Sequence, residues 1–342
     1  MSMMTTLLQQ NRPALRWSLP ALRRNRLALL ACFGLTLAST SLRAQMSDDV
    51  RRKLTEMGPL YTSPAVIDLY RPLVAPAPKD VTIKKGVAYG QHPRQVLDIY
   101  QPAGRTNLPI LVYVHGGGYI SGDRDGDVVY GNVTTYFARN GMLAINAEYR
   151  LAPEFAWPSG GNDVAGVVAW VKKNAAQYGG DPNRIYLMGH SAGATHVATY
   201  VFDKRVQPRG GHGVAAAILV SGRYRVYSEP DDPAFDSVRA YFGADASRYA
   251  SRSVIERVPN SRIPVMLVTS EYDQQNLVAT TGEMFKALCD RDGGQCPRLV
   301  QLKHHNHLSE IYHFNSGDEV LGKEILEFLG VTPGASRWAT NP

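Results

Sequence analysis

The sequence contains no apolar run long enough to span a bilayer comfortably and no long run of one charge. The apolar run at residues 27–38 has 12 residues, whereas a membrane-spanning helix needs about 20. The first 44 residues hold six arginines and no acid, and the rest of the chain has 31 basic against 30 acidic residues. This near-neutral remainder, with no basic run longer than three residues, has little attraction for phosphate backbones, which excludes nucleic-acid binding.

The first 44 residues have the order of parts typical of a secretory signal peptide. Arg23, Arg24 and Arg26 precede the apolar run, and Ala44 ends the segment. We therefore predict a signal peptide over residues 1–44 and an exported protein, periplasmic or secreted, without stable membrane insertion once the signal is removed. The Arg23-Arg24 pair leaves open whether export follows the general secretory or the twin-arginine route.

Cysteine is scarce, with three residues in the chain. Cys32 lies in the predicted signal peptide, so the exported chain would keep only Cys289 and Cys296. An even pair in an exported protein favours a disulfide, which would close a small loop and stabilise the fold by about 2 to 3 kcal/mol on the chain-entropy account. Two free thiols are the alternative.

The rest of the chain has the composition of one large folded domain, with 44% hydrophobic residues and no repeat or low-complexity tract. Residues 45–80 are predicted to form a helical arm, residues 81–332 a catalytic domain, and residues 333–342 a tail. Several expected strands are continuous apolar runs, which favours an α/β class with a doubly wound, mostly parallel sheet of about eight strands. The expected strands are 81–88, 96–100, 108–114, 142–146, 185–188, 215–220, 265–269 and 298–302. The expected helices are 129–139, 162–176, 192–202, 280–289 and 322–329.

One serine lies in a Gly-x-Ser-x-Gly pattern formed by Gly189, Ser191 and Gly193. An apolar segment at 184–188 precedes it and a helix-like segment at 194–202 follows, which is the context of a nucleophile elbow. Small flanking residues let the backbone and a substrate approach the hydroxyl. Ser191 is therefore the predicted nucleophile; an ordinary serine turn between glycines is the alternative.

A glycine-rich loop, HGGGY at residues 115–119, follows the apolar strand 108–114. Lipases and esterases build one half of an oxyanion hole from such a loop and the other half from the residue after the nucleophile. We predict that the N–H groups of Gly117, Gly118 and Ala192 form this hole, where each donor contributes about 10² to 10³ in rate. A merely flexible glycine turn is the alternative. His115 is interpreted as a structural brace of the loop.

A serine nucleophile needs an imidazole to take its proton and a carboxylate to orient that imidazole. In the chain order Ser, Asp/Glu, His, the acid follows a late strand, where Asp273 is the predicted acid and Glu271 the alternative. The base should follow the last strand, where His307 is predicted and His305 is the second choice.

Metal binding is the competing interpretation of the histidines at positions 304, 305 and 307. They lack the His-x₃-His register of a helical metal site, and no carboxylate or cysteine pattern completes a ligand set. We therefore expect no metal and no cofactor. His313 is expected either to pack in the interior or to face solvent.

Taken together, these segments resemble the hormone-sensitive-lipase-like and feruloyl-esterase-like branches of the α/β-hydrolase family. YRLAPE at 149–154, with Trp157-Pro158 and Asp163 behind it, is similar to the family's block of that sequence, and GDPNRI at 180–185 resembles its entry to the elbow strand. The resemblance covers most of the exported chain. It implies the α/β-hydrolase fold, a metal-free serine carboxylesterase with an acyl-enzyme intermediate, and scaffold roles for Arg150, Glu154 and Asp163.

Some segments depart from the hormone-sensitive-lipase pattern. SGDR at 121–124 and LDIY at 97–100 look more like the feruloyl-esterase or arylformamidase side. EYDQQ at 271–275 lacks the usual Asp-Pro-Leu form, and leucine follows His307 where Gly-Phe is common. The subfamily, and with it the substrate, stays open.

We expect a serine hydrolase that cleaves small carboxylic esters with short-chain or aromatic acyl groups, because residues 222–264 are too few and too polar for a large apolar lid. Tyr119, Tyr224, Tyr227 and Trp157 either line an aromatic-accepting pocket or pack in the interior. An amide hydrolase of arylformamidase type would share every catalytic part. A non-catalytic small-molecule-binding protein on the same fold would have a damaged set of catalytic residues, whereas this set is intact. The oligomeric state is not evident from the sequence.

Overall fold

The structure is a computed structural model that describes residues 46–59, 63–76, 79–124, 131–227 and 229–332. The predicted signal peptide and the predicted tail at 333–342 lie outside these residues. Within the described ranges, no helix has the length and apolar character needed to cross a bilayer.

One sheet of eight strands runs through the described part of the chain in the order β1-β2-β4-β3-β5-β6-β7-β8. The β1–β2 and β2–β4 pairs are antiparallel, and all pairs from β4–β3 to β7–β8 are parallel. The predicted α/β class with a mostly parallel sheet of about eight strands is confirmed. The strands are β1 (Val81–Ala88), β2 (Val96–Pro102), β3 (Leu108–Val114), β4 (Leu143–Ala147), β5 (Gly180–His190), β6 (Ala216–Val220), β7 (Val265–Tyr272) and β8 (Arg298–Asn306).

Helices lie before, between and after the strands. The predicted helix at 192–202 has the observed ends, and the ends of the other predicted helices differ from the observed ones by a few residues. Helix α8 begins at Gln275 and not at position 280 as predicted. The sequence does not mark this start, because the N-cap residue Gln274 is not one of the residues that normally cap a helix. The helices are α1 (Asp48–Met57), α2 (Ser63–Tyr70), α3 (Gly131–Arg139), α4 (Ser159–Asn174), α5 (Ala192–Phe202), α6 (Phe235–Phe242), α7 (Tyr249–Arg252), α8 (Gln275–Arg291), α9 (Ser309–Tyr312) and α10 (Val320–Phe328).

Helices cover both faces of the sheet. On β3, Ile110, Val112 and Val114 pack in a cluster with apolar residues of α4, α5 and α8. Leu111 and Tyr113 point to the opposite face and pack in a second cluster with residues of α3 and α10. Because side chains alternate along a strand, a strand buried on both faces must be apolar throughout, which explains the continuous apolar run at 108–114.

The N-terminal arm contains two helices that pack onto the second cluster. Val50 and Leu54 of α1 and Val66 and Tyr70 of α2 are buried there. The side chain of Ser47 caps α1 by accepting a hydrogen bond from the Val50 N–H. The arm is therefore held by its own apolar faces.

Cys289 and Cys296 form a disulfide, as expected for this pair. The bridge joins the last turn of α8 to the segment that leads into β8. It lies outside the cleft described below.

Candidate active site

Ser191 lies on the sharp turn between β5 and α5. Its φ of 54° and ψ of −120° are rarely adopted by a residue with a side chain, and such strain is typical of functional sites. The Ser191 N–H donates to the Val220 carbonyl at 2.9 Å, which fastens the turn to β6. A Cβ on Gly189 would lie 2.4 Å from the Gly193 carbonyl oxygen, and one on Gly193 would lie 2.2 Å from that of Val114. Only glycine fits at both positions, so the sequence pattern follows from the geometry of the turn.

The glycine-rich loop after β3 packs directly against this turn. A Cβ on Gly116 would lie 3.1 Å from the Ser191 Cβ. Gly117 and Gly118 both have positive φ, 130° and 58°. The carbonyl of Gly117 accepts hydrogen bonds from the Ser121 N–H at 3.0 Å and the Ser121 hydroxyl at 2.8 Å. These contacts fix the loop in one conformation beside the nucleophile.

His115 is held by a buried carboxylate that follows β4. Its Nε2 lies 2.9 Å from Oε1 of Glu148, and its ring stacks on Tyr149 at 4.4 Å between centroids. The Tyr149 hydroxyl donates to the His115 carbonyl at 3.1 Å. Burial opposes ionisation of Glu148, but His115 and Arg94 outweigh it and lower the pKa of that carboxyl. This geometry supports the interpretation of His115 as a brace.

Sequence analysis missed Glu148. The signal for it was an acid directly after the apolar strand LAINA, next to the YRLAPE block. Arg150 of that block forms an ion pair at 2.8 Å with Asp163 behind it, as the scaffold roles require. Glu154 is exposed.

His307 follows β8 directly and meets Asp273, which follows the neighbouring strand β7. Nδ1 of His307 lies 2.9 Å from Oδ1 of Asp273, and both side chains are buried. The Gln274 N–H also donates to Oδ1 of Asp273, at 2.7 Å. Burial opposes ionisation of Asp273, but the His307 ring and these hydrogen bonds outweigh it and lower the pKa. The carboxylate thus fixes the imidazole by its Nδ1 atom and leaves Nε2 for proton transfer.

The two alternative residues are engaged elsewhere. A carboxylate oxygen of Glu271 accepts from the His304 N–H at 2.8 Å. The ring of His305 lies 3.2 Å from Asp318 and 3.1 Å from the Ser309 hydroxyl. His313 is fully buried, so it packs rather than facing solvent.

Ser191 and His307 line one cleft of about 700 Å³ together with the predicted oxyanion residues Gly117, Gly118 and Ala192. Ala192 also begins α5, so the positive end of the helix dipole lies at this point. Helices α2, α6, α8 and α9 and the loops beside them supply further walls; these include Ser63, Ile67, Asp236, Ser237, Leu277, Leu308 and Tyr312. Sequence analysis did not place the N-terminal arm at the site.

The aromatic residues singled out in the sequence serve mainly in packing. Tyr119 lines the cleft, but it is 4% exposed and stacks on Tyr241 at 4.7 Å between ring centroids. Tyr224 is fully buried, and neither Tyr227 nor Trp157 is among the residues that line the cleft.

Among the described residues, His190, His307 and Glu310 bring nitrogen and carboxylate ligand atoms within 4.8 Å of one another. Hydrogen bonds already engage these side chains. Nε2 of His190 lies 2.9 Å from the His307 carbonyl oxygen, and Nδ1 of His307 lies at Asp273. We assign no metal to this group, and the absence of a metal requirement stays a prediction.

Two family models match the chain. One, described as BD-FAE, matches residues 97–204, and the other, described as an alpha/beta hydrolase domain, matches residues 162–311. Together they contain the glycine-rich loop, the elbow, Asp273 and His307.

Curated relatives include a probable isoprenylcysteine alpha-carbonyl methylesterase of rice (Oryza sativa subsp. japonica), 37% identical over 133 residues, which cover 39% of this chain and 30% of the relative. Carboxylesterase NlhH of Mycobacterium tuberculosis is 40% identical over 94 residues, which cover 28% of this chain and 29% of the relative. The chain therefore spans less than a third of the length of each of these relatives.

A solved structure of a hyperthermophilic esterase from Pyrobaculum calidifontis superposes with a TM-score of 0.62 at 20% identity. The superposition covers 84% of this chain and 98% of the esterase. At this identity the likeness concerns the fold.

Proposed function

We propose that the chain, which has the α/β-hydrolase fold and matches two family models over part of its length, is a serine carboxylesterase that cleaves small esters with short-chain or aromatic acyl groups. The observation that carries the proposal is the 2.9 Å contact between Asp273 and His307 at a cleft that Ser191 also lines. A carboxylate, an imidazole and a hydroxyl in this order form the relay of a serine hydrolase.

In the proposed reaction, Oγ of Ser191 bonds to the ester carbonyl carbon while its proton passes to Nε2 of His307. Asp273 stabilises the imidazolium, and the carbonyl oxygen, now negative, accepts hydrogen bonds from the N–H groups of the oxyanion residues. The tetrahedral intermediate expels the alcohol, which takes the proton from His307. Water then attacks the acyl-enzyme by the same steps, releasing the acid and restoring Ser191.

The size and lining of the cleft support small substrates. Its volume of about 700 Å³ lies within the range of ordinary small-molecule sites. Ile67, Leu277 and Leu308 give it an apolar wall suited to a short or aromatic acyl group, whereas Arg223 and Asp236 are polar. The segment between β6 and β7, which forms one wall of the cleft, contains only short helices.

Substitution of the nucleophile tests the proposal. Ser191→Ala should abolish turnover of p-nitrophenyl acetate and butyrate and labelling by a fluorophosphonate probe, with an unchanged circular dichroism spectrum. Ser237→Ala is the matched control, because Ser237 also lines the cleft and its hydroxyl donates to the Ala234 carbonyl. Retained turnover or labelling in the Ser191 variant would falsify the assignment.

Paired ester and amide substrates with the same acyl group distinguish the arylformamidase alternative. We expect the ratio of kcat/KM for the ester to kcat/KM for the amide to exceed the ratio of their uncatalysed hydrolysis rates. A preference for formanilides would instead assign the protein to amide hydrolysis. A wild-type protein that hydrolyses neither the esters nor the amides and is not labelled by the fluorophosphonate probe would be a binding protein.

The proposal includes export to the periplasm or the medium. The basic and apolar order of residues 1–44 and the Cys289–Cys296 bridge support it. Cells that express the full chain should contain the processed protein outside the cytoplasm, with an N-terminus near Gln45 by mass spectrometry. Full-length protein confined to the cytoplasm contradicts this part of the proposal.

A further inference from the structure

A second buried carboxyl group lies behind the proposed catalytic residues. Glu310 belongs to α9, just after His307, and is fully buried. Its Oε2 lies 3.0 Å from the Ser221 hydroxyl, and its Oε1 lies 3.1 Å from Nε2 of His190. The same Oε1 lies 3.6 Å from Nδ1 of His307, which is longer than the 2.9 Å from that nitrogen to Asp273. Glu310 therefore contacts the elbow and the segment after β6 while Asp273 takes the hydrogen of His307.

The hydrogen bonds of His190 fix its protonation. Its Nε2 lies 2.9 Å from the His307 carbonyl oxygen, and because a carbonyl can only accept, Nε2 carries the hydrogen. Burial, with His307 nearby, lowers the pKa of His190 well below its usual value. The ring is therefore neutral and offers Glu310 a hydrogen bond but no charge.

Burial favours the uncharged form of Glu310 as well. Burial raises its pKa well above the usual value, and the neighbouring Asp273 carboxylate raises it further. Tyr224, whose hydroxyl accepts from the Gly222 N–H, also faces Glu310, together with Asp273, His190 and His307. A buried carboxyl group beside a carboxylate is most stable as the acid.

We propose that Glu310 is a positioning residue, which holds His307 and the nucleophile elbow in register with Asp273 through hydrogen bonds to His190 and Ser221. Oε1 accepts from Nε2 of His190, which also binds the His307 carbonyl. Oε2 accepts from the Ser221 hydroxyl at 3.0 Å, and Ser221 also interacts with Asp273. This inference rests on the proposed function.

Two substitutions at Glu310 separate its possible roles. Glu310→Gln keeps one acceptor and one donor without charge, so kcat on p-nitrophenyl butyrate should stay within about threefold of wild type. Glu310→Leu has similar volume but removes both hydrogen bonds. We expect it to lower kcat by about 10- to 100-fold at unchanged KM, as displacement of a reacting group does. Ser221→Ala, a smaller change that leaves Glu310 in place, should also lower kcat.

Asp203→Asn is the control, because Asp203 is a buried acid at the end of α5, outside the cleft, paired with Arg205 at 2.6 Å. Its kcat should equal that of wild type even where its melting temperature falls. Equal kcat for Glu310→Leu, or for Ser221→Ala where the leucine variant does not fold, would overturn the positioning role. So would a Glu310→Gln variant as impaired as the leucine variant.

The pH profile tests the charge. With an uncharged Glu310, the acid limb of kcat/KM against pH should coincide for wild type and Glu310→Gln. If Glu310 were ionised, loss of a negative charge beside His307 would move that limb to lower pH, which contradicts the assignment. Fluorophosphonate labelling of wild type distinguishes a failure of the proposed function from a failure of this inference. An unlabelled wild type sinks the proposed function, whereas a labelled wild type with unaffected Glu310 and Ser221 variants sinks this inference alone.

Discussion

The carboxylate of Glu148 lies 2.9 Å from Nε2 of His115. Glu148 follows β4 and therefore holds the histidine that begins the glycine-rich loop after the neighbouring strand β3. Glu148→Gln removes the charge from this contact and should let Gly117 and Gly118 move. We expect a fall in kcat of about 10-fold or more, because oxyanion donors act only when aimed at the developing charge. Glu154→Gln, at an exposed position in the same segment, should leave kcat unchanged. Similar kcat values for the two variants would contradict a bracing role.

Asp273 and Glu271 are two residues apart, and only Asp273 contacts His307. Asp273→Asn should therefore lower kcat by about 10⁴, the size of the effect when a triad carboxylate becomes an amide. Glu271→Gln should keep kcat near that of wild type. Steady-state kinetics on p-nitrophenyl butyrate checks the pair, and the reverse pattern would reassign the acid.

Gly193 has no room for a side chain, because a Cβ would lie 2.2 Å from the Val114 carbonyl oxygen and 2.4 Å from that of His115. Gly193→Ala should push the glycine-rich loop away from the elbow and abolish activity with a lower melting temperature. Gly282→Ala is the matched control in helix α8, where nothing lies within 4 Å. It should stabilise the protein by up to about 1 kcal/mol, since alanine is the better helix former. Thermal unfolding and kcat of both variants test this.

His196 is fully buried against Tyr119 of the glycine-rich loop, with ring centroids 5.6 Å apart, and its Nδ1 lies 3.3 Å from the Tyr241 hydroxyl. Burial, with His115 nearby, lowers its pKa to about 3. A depressed pKa in the folded state means that its contribution to stability is complete above the usual value of 6.5 and is lost as pH falls from there toward about 3. His196→Asn should therefore flatten the fall in melting temperature over this acid range. His304→Asn, at a partly exposed ring, is the control; parallel curves for wild type and the His196 variant would contradict the prediction.

The local parts of the site follow from the sequence. The tight turn at Ser191 demands glycine at Gly189 and Gly193, and the close contact with Ser121 inside the glycine-rich loop demands glycine at Gly117, so these positions are visible as motifs. The strands are visible for the same reason, since a strand covered on both faces must be apolar along its length.

Choices that depend on register are not visible in the sequence. Glu271 lies near the end of β7 and Asp273 follows the strand. Which of them meets His307 depends on an irregularity in the pairing of β7 with β8 between Ser270 and Tyr272. His305 and His307 differ in the same way, because β8 continues to Asn306 and delivers His307 at its end.

Contacts between distant segments are also hidden. Glu310 contacts His190 and Ser221, which are remote from it in the chain, so no spacing marks it. The pattern of the arm showed helices but not what they pack against.

The walls contributed by Ser63 and Ile67 mean that the arm and the hydrolase core share one binding surface. A shortened protein that starts at β1 would retain Ser191, His307 and Asp273 but would open one side of the cleft to water. Trimming this arm, or exchanging its second helix, is accordingly a direct route to a changed substrate range.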